Sequence, residues 1–316
     1  MRSRAARALG PLLAVLAASV SSARAEEAFV TAQSAEVVEV VDLDARRVVA
    51  AIPVPGAPAG IALSPDRARA YVTAPEAKAL AVIDTAARRV VTTLPLGGGP
   101  LGVGVNPVSG AVYVADWYAR RLWVVEPATL AVTGEIAVGT SPSGIAVTRD
   151  GRLLLAADRD DDAVSLVDTA TRQRVAVIPV GTRPFGVTID AEGQRAYTAN
   201  VGSNDVSVID LAARREIARV PVGERPYAVA LTGGRAFVTD QYGGTVSTFA
   251  TATLAPGSRI AVGDYPEGIA ASRDGSRIYV ANWESNTLSV IDTATLTVVG
   301  QVKTADGPRA FGDFLR

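Results

Sequence analysis

The chain has 316 residues, 48% of them apolar, with 31 basic and 32 acidic side chains. That length and apolar share suffice for one large domain with a substantial core, and the near-zero net charge gives no global pull toward nucleic acid. The absence of histidine and cysteine excludes thiolate chemistry, cysteine-ligated metals, histidine-ligated haem and any Ser-His-Asp triad.

The N-terminus reads as a secretory signal. Arg2, Arg4 and Arg7 form a basic region, residues 8–20 a short apolar stretch, and Ala23-Arg24-Ala25 a small-residue cleavage site. The apolar stretch is shorter than the roughly 20 residues needed to span a bilayer. Cleavage is therefore expected after Ala25. It removes four arginines and leaves 27 basic against 32 acidic side chains, a net charge of −5. The expectation is a periplasmic or secreted protein, residues 26–316 forming a single domain with no membrane span. With no cysteine, no lipid anchor is expected either.

From residue 28 onward the chain repeats itself. Residues 278–295, IYVANWESNTLSVIDTAT, give the clearest copy: a β-branched and aromatic strand, a polar turn, an alternating strand and a closing Asp turn. An aromatic slot runs Phe29, Tyr71, Tyr113, Leu155, Tyr197, Phe237, Tyr279, in steps of 42 residues with one of 40. An acidic slot (Asp42, Asp84, Glu126, Asp168, Asp210, Ala250, Asp292) and a proline slot (Pro58, Pro100, Pro142, Pro184, Pro226, Pro266, Pro308) keep the same steps. A period near 42 residues with several short strands in each copy predicts propeller blades.

These residues resemble the YVTN family of β-propeller repeats, and the whole resembles the YncE-like periplasmic propellers. The family tetrapeptide appears as YVTA at Tyr71, YVAD at Tyr113, YTAN at Tyr197 and YVAN at Tyr279. The fold expected is all-β, a seven-bladed β-propeller of four-stranded antiparallel blades. Each blade begins after its proline with a Gly-Ile-Ala-Val-like strand, which the resemblance places along the central channel. Six whole blades start near Pro58, Pro100, Pro142, Pro184, Pro226 and Pro266. The seventh is split: residues 28–54 supply three strands and the segment after Pro308 supplies the innermost one, closing the ring. The 40-residue step falls in the fifth whole blade, where Thr232-Gly233-Gly234 shortens a hairpin and the outer strand begins Ala255-Pro256-Gly257.

The six acids of the acidic slot read as separate turn caps, because blades spread around a ring cannot bring them within metal-binding reach. Asp160-Asp161-Asp162 lacks the glycine and terminal glutamate of a calcium loop and reads as a solvated turn. No metal, cofactor or catalytic residue is assigned. The residues flanking the prolines are more informative. Three consecutive blades carry small or apolar ones, and the next carry Arg183 and Phe185, Arg225 and Tyr227, Tyr265 and Glu267, and then Arg309. The turn after the YVTN strand adds Trp117, Tyr118, Tyr242 and Trp283. Aromatic residues beside arginine suggest a partner-binding face.

The function this favours is a monomeric, non-enzymatic binding or scaffold module for a protein or small molecule. Single-stranded DNA binding is the alternative, which the resemblance also implies. Arg183, Arg225 and Arg309 with Phe185, Tyr227 and Trp283 would form its stacking patch, and Trp117-Tyr118-Ala119-Arg120-Arg121-Leu122-Trp123 is the densest basic–aromatic stretch. A lactonase-like hydrolase is the second alternative. It would need an acid–base set from Glu267, Glu284, Asp240 and Arg225, and rests on fold analogy alone.

Overall fold

The computed structural model describes residues 26–316; the signal reading of residues 1–25 lies outside them. The described chain forms seven antiparallel sheets arranged as a propeller. In the first whole blade the strands are Gly60–Leu63, Arg69–Ala74, Ala79–Asp84 and Arg89–Pro95, in sequence order from the axis outward. In the sixth they are Pro266–Ala271, Arg277–Asn282, Thr287–Asp292 and Thr297–Lys303. Each innermost strand touches that of the next blade, and the ring of contacts closes through Phe311–Gly312.

The strand pattern follows from the environment of each position. The two middle strands of a blade are covered on both faces by neighbouring blades, so both alternating sets are apolar or small. Leu288, Ser289, Val290 and Ile291 are all buried. Leu288 and Val290 pack toward the split blade, whereas Ile291 packs toward the fifth whole blade. The aromatic slot fills these inter-blade layers: Phe29, Tyr71, Tyr197 and Phe237 are among the largest fully buried side chains. Outer strands alternate between exposed and partly covered residues, as in Arg89–Pro95.

Ring closure has the expected split form. Glu27–Ala32, Val37–Asp42 and Arg47–Pro53 make a three-stranded sheet. The C-terminal segment runs antiparallel along its inner edge: Phe29 N donates to Phe314 O at 2.8 Å, and Arg309 N to Thr31 O at 2.7 Å. One hydroxyl shows that this segment occupies the innermost position. In the first whole blade Thr73 Oγ1 accepts from Gly60 N, in its own inner strand, at 2.8 Å and donates to Leu101 O of the next blade at 2.6 Å. Thr31 Oγ1 does the same with Ala310 N and Ala59 O, both at 2.9 Å. Ala310 therefore stands where Gly60 stands in a whole blade. The apolar layer at this seam joins the sixth whole blade, the split blade and the first whole blade, and includes Phe29, Val40, Val72, Tyr279 and Phe314. A feature the repeat does not show is that Phe311–Gly312 leaves the split blade and pairs in parallel with Gly60-Ile61.

The acidic slot caps turns, as its spacing indicated. Asp42 Oδ1 accepts from Ala45 N, Asp168 from Thr171 N and Asp210 from Ala213 N, each at 2.8 Å. Backbone donors hold the Asp168 carboxyl below the usual range. In the fifth whole blade Thr232 pairs with Arg235 across Gly233-Gly234, whose φ values of 56° and 71° suit a two-residue hairpin turn. Its outer strand, Pro256–Ala261, is one residue shorter than the seven of Thr297–Lys303.

Candidate functional site

The turn leading into each inner strand decides which side chains face the channel. Ala57, Ser141, Arg183, Arg225 and Tyr265 all precede the slot proline with φ between 51° and 58°. A left-handed residue followed by proline bends the chain sharply, at a cost of about 1 kcal/mol for a side chain other than glycine. In the three blades with bulky residues here, the residue before the proline stands nearer the solvent and the one after it is carried inward. Arg183 is exposed and Tyr265 is 37% exposed, while Phe185, Tyr227 and Glu267 are buried. The two flanks are thus not one surface: one forms a rim and the other a floor.

The floor is an aromatic plug drawn from three blades. Phe185 lies 4.3 Å from Tyr227 and 5.1 Å from Phe311, centroid to centroid, and Trp117 approaches Phe185 at 6.2 Å. Above it opens a cavity of about 570 Å³. Its polar wall is a connected chain of groups. Arg225 Nε donates to Gln241 Oε1 at 2.6 Å, and Gln241 Nε2 donates to Glu267 Oε1 at 2.6 Å. Glu267 Oε2 lies 3.1 Å from Arg309 Nε but accepts no well-directed hydrogen bond. Arg309 Nη2 donates to the Tyr227 hydroxyl and its Nη1 to Gln33 Oε1 at 3.2 Å.

Burial raises the Glu267 carboxyl, and the Arg309 guanidinium beside it pulls the other way. Burial also raises the Tyr227 phenol, so it stays protonated and can donate. Burial disfavours the Arg309 cation, but Glu267 and the Tyr227 oxygen together outweigh that and raise its pKa above the usual guanidinium range.

The remaining predicted residues fall around the rim. Tyr242, Tyr265 and Trp283 form a row with centroid separations of 5.5 and 6.3 Å, and the Arg225 guanidinium lies 4.9 Å over the Tyr242 ring. Tyr118 is 79% exposed beside Trp117. Arg183 and Glu284 do not line the cavity, and neither does Asp240. Asp240 is buried inside its blade, accepting from Gly223 N at 2.9 Å and from Thr245 and Ser247 at 2.7 Å each. The carboxylates of Asp160, Asp161 and Asp162 are turned to Ser141, to Thr140 N and to Arg183 N respectively, and so join adjacent loops. The basic–aromatic stretch also separates. Trp123 is buried between blades, and Arg121 is paired with Asp116 and Glu135, which leaves Trp117, Tyr118 and Arg120 at the surface.

Sequence reasoning passed over Gln33, Arg159 and Gln241 as site residues, and Phe311. The first three had a visible signal. They lie four residues after the aromatic slots Phe29, Leu155 and Phe237, the same offset that gives Trp117 and Trp283. Phe311 had none, since it enters the channel only because the closing strand crosses toward the first whole blade.

A family model described as YNCE-like beta-propeller matches residues 18–109. No curated protein is significantly similar in sequence. Among solved structures, a functionally unknown protein from Desulfotomaculum acetoxidans DSM 771 superposes with a TM-score of 0.77 at 17% identity, over 90% of this chain and 99% of that one. Hydrazine synthase of Kuenenia stuttgartiensis gives a TM-score of 0.73 at 20% identity, over 81% of this chain and 89% of that one. The dihydro-heme d1 dehydrogenase NirN, in complex with DHE, gives 0.67 at 17% identity, over 92% of this chain and 74% of that one. At such identities the likeness is one of fold. The matched segment holds the split blade and the start of the ring, and the same repeat continues through all seven blades, which supports a YncE-like propeller family for a chain whose fold is a seven-bladed β-propeller.

Proposed function

We infer that the protein is an exported, non-enzymatic binding module that works through the face carrying this cavity. The observation that carries the reading is the connected wall Arg225–Gln241–Glu267–Arg309 over an aromatic floor. It places fixed polar groups and apolar surface in one concave site, as ligand pockets do. Export follows from the sequence of residues 1–25. The hydrolase reading loses support because Asp240 is enclosed in its blade and Glu284 stands outside the cavity, so its four groups do not converge. Two of the solved neighbours are named as enzymes, but the likeness is of fold only.

Single-stranded nucleic acid is a second reading, favoured by one observation: the row Tyr242, Tyr265, Trp283 with Arg225 beside it could stack successive bases. Phe185 and Tyr227 belong to the cavity floor and are not part of this row. The test is capture of a partner from periplasmic extract by the mature protein, alongside binding of a single-stranded oligonucleotide across a salt series. A Tyr227→Ala, Trp283→Ala variant should lose on the order of 2 kcal/mol of partner affinity. Oligonucleotide binding that falls steeply with salt selects the second reading, since each phosphate contact releases counterion. Unchanged capture by the variant would place the binding surface elsewhere.

A further inference from the structure

The charges of the cavity wall do not cancel. Glu267 is answered by Arg309 at 3.1 Å and by the Gln241 amide. Arg159 is answered by Asp160 at 2.5 Å. Arg225 has no carboxylate within 4 Å among the described residues, although it lines the same cavity. It is nonetheless held in place from three sides. Its backbone N donates to Asn204 Oδ1 at 2.8 Å, its Nε donates to Gln241 Oε1, and Tyr242 lies under its guanidinium plane. The Gln241 amide is oriented by its two neighbours, since its oxygen must face Arg225 and its nitrogen Glu267. Among the described residues the two Nη nitrogens of Arg225 meet no acceptor. A guanidinium fixed through Nε and one face, with its Nη edge free, is preorganised for an anion.

The same cavity has an apolar half. Trp117 and Phe185, inclined at 55° with centroids 6.2 Å apart, form an aromatic corner with Leu101 beside it. Glu76 and Lys78 also line the cavity with opposite charges, neither in an ion pair among the described residues, so the wall keeps one positive charge in excess, which matches one negative charge. A phosphate dianion would lie near the Glu267 carboxylate with only one positive charge in excess to hold it, whereas a carboxylate needs only the fork. The volume of about 570 Å³ suits a small ligand rather than a protein side.

Resting on the reading of this face as a binding surface, we propose that the cavity takes a small planar aromatic monocarboxylate, its ring against Trp117 and Phe185 and its carboxylate on the Nη edge of Arg225. The test is calorimetric titration of the full mature chain with phenylacetate and with phenylacetamide, its neutral near-isostere. Phenylacetate should saturate one site per chain and bind at least about tenfold more tightly than the amide, as a charge-assisted hydrogen-bond pair requires. Arg225→Gln should bring phenylacetate down to the level of the amide and leave the amide unchanged. Trp117→Ala should weaken both. No saturable binding of phenylacetate at millimolar concentration, or equal affinity for acid and amide in the parent protein, overturns the proposal without recourse to any variant. Partner capture that survives Arg225→Gln, together with failure of phenylacetate, removes this ligand assignment and leaves the binding-face reading standing. Saturable phenylacetate binding with no partner captured keeps both the ligand assignment and the binding face and removes only a macromolecular partner.

Discussion

The two mouths of the channel are built by the same seven inner strands and differ in what fills them. The mouth opposite the candidate site is a cavity of about 410 Å³ lined by Val103, Gly104, Ile145, Val187, Val229 and Ile269, with Thr188 and Asp313 as its polar side chains. These are repeat positions, and packing dictates them. Where the strands converge, a Cβ on Gly102 would lie 1.7 Å from Ser143 O, one on Gly144 2.5 Å from Phe185 O, and one on Gly186 2.6 Å from Tyr227 O. The candidate site is lined by positions with no such demand. Immediately after the proline stand Ala59, Leu101, Ser143, Phe185, Tyr227, Glu267 and Arg309. The ring would close with small residues at every one of them, as it does at Ala59 and Ser143. Departure from the repeat at this mouth alone therefore reports a role other than stability.

The largest expected effect tests the ring that both mouths share. Deleting residues 308–316 removes the partners of Thr31 and the Phe314 side chain from the seam. Cooperative thermal unfolding should be lost, and a deletion protein that melts like the parent would break the account of closure. Next is Glu267→Leu, which strands the Arg309 cation in a site that is only 16% exposed. Urea unfolding should show a loss of roughly 3–5 kcal/mol, and Glu267→Leu with Arg309→Met should recover most of it. If the single variant is as stable as the parent, this mouth carries no buried charge pair.

The contrast between imposed and free positions is sharpened by two neighbours. Gly102→Val should cost about 3 kcal/mol, because the Cβ meets backbone that cannot move aside. Leu101→Phe, one residue earlier and facing the cavity, should cost under about 1 kcal/mol. Equal costs would erase the distinction drawn here.

A smaller effect is expected inside the blades. Asp158 is fully buried, its Oδ2 accepts from Ser165 at 2.5 Å and its Oδ1 has no partner. Burial pushes its carboxyl from 3.8 up to about 6. A carboxyl raised on folding favours the folded state while it is protonated. That contribution is whole below about pH 4 and is lost as pH rises through about 6. Asp158→Asn, the residue found at the matching positions 200 and 282, should therefore gain on the order of 2 kcal/mol at pH 8. It should gain almost nothing at pH 3.5. Melting curves at the two pH values decide it, and an equal shift at both would show that the charge is not buried.

What was legible in the sequence follows the same division. The blades were readable because Tyr71, Tyr197 and their counterparts must fill inter-blade layers, and turn acids cap turns at every copy but the one with Ala250. The split blade was readable because Pro308 begins a seventh inner-strand pattern with no strands after it, and Phe29 begins one with none before. The site was only partly readable. Departures from the repeat marked Phe185, Arg225, Tyr227, Glu267 and Arg309, but the sequence could not say that the left-handed turn at Arg225 and Pro226 sends one neighbour to the rim and the other to the floor. Gln241 looked like an ordinary turn residue until Arg225 and Glu267 were found on either side of its amide. Contacts between blades arise from ring closure, which no single copy of the repeat encodes.

The central claim is that the mouth free of packing demands is the one that binds. The most direct test is the position of phenylacetate in crystals of the mature protein soaked with it. The account expects density between the Trp117 ring and the Nη edge of Arg225. Density in the opposite mouth, among Val103, Ile145 and Val187, with the upper cavity empty, would contradict it.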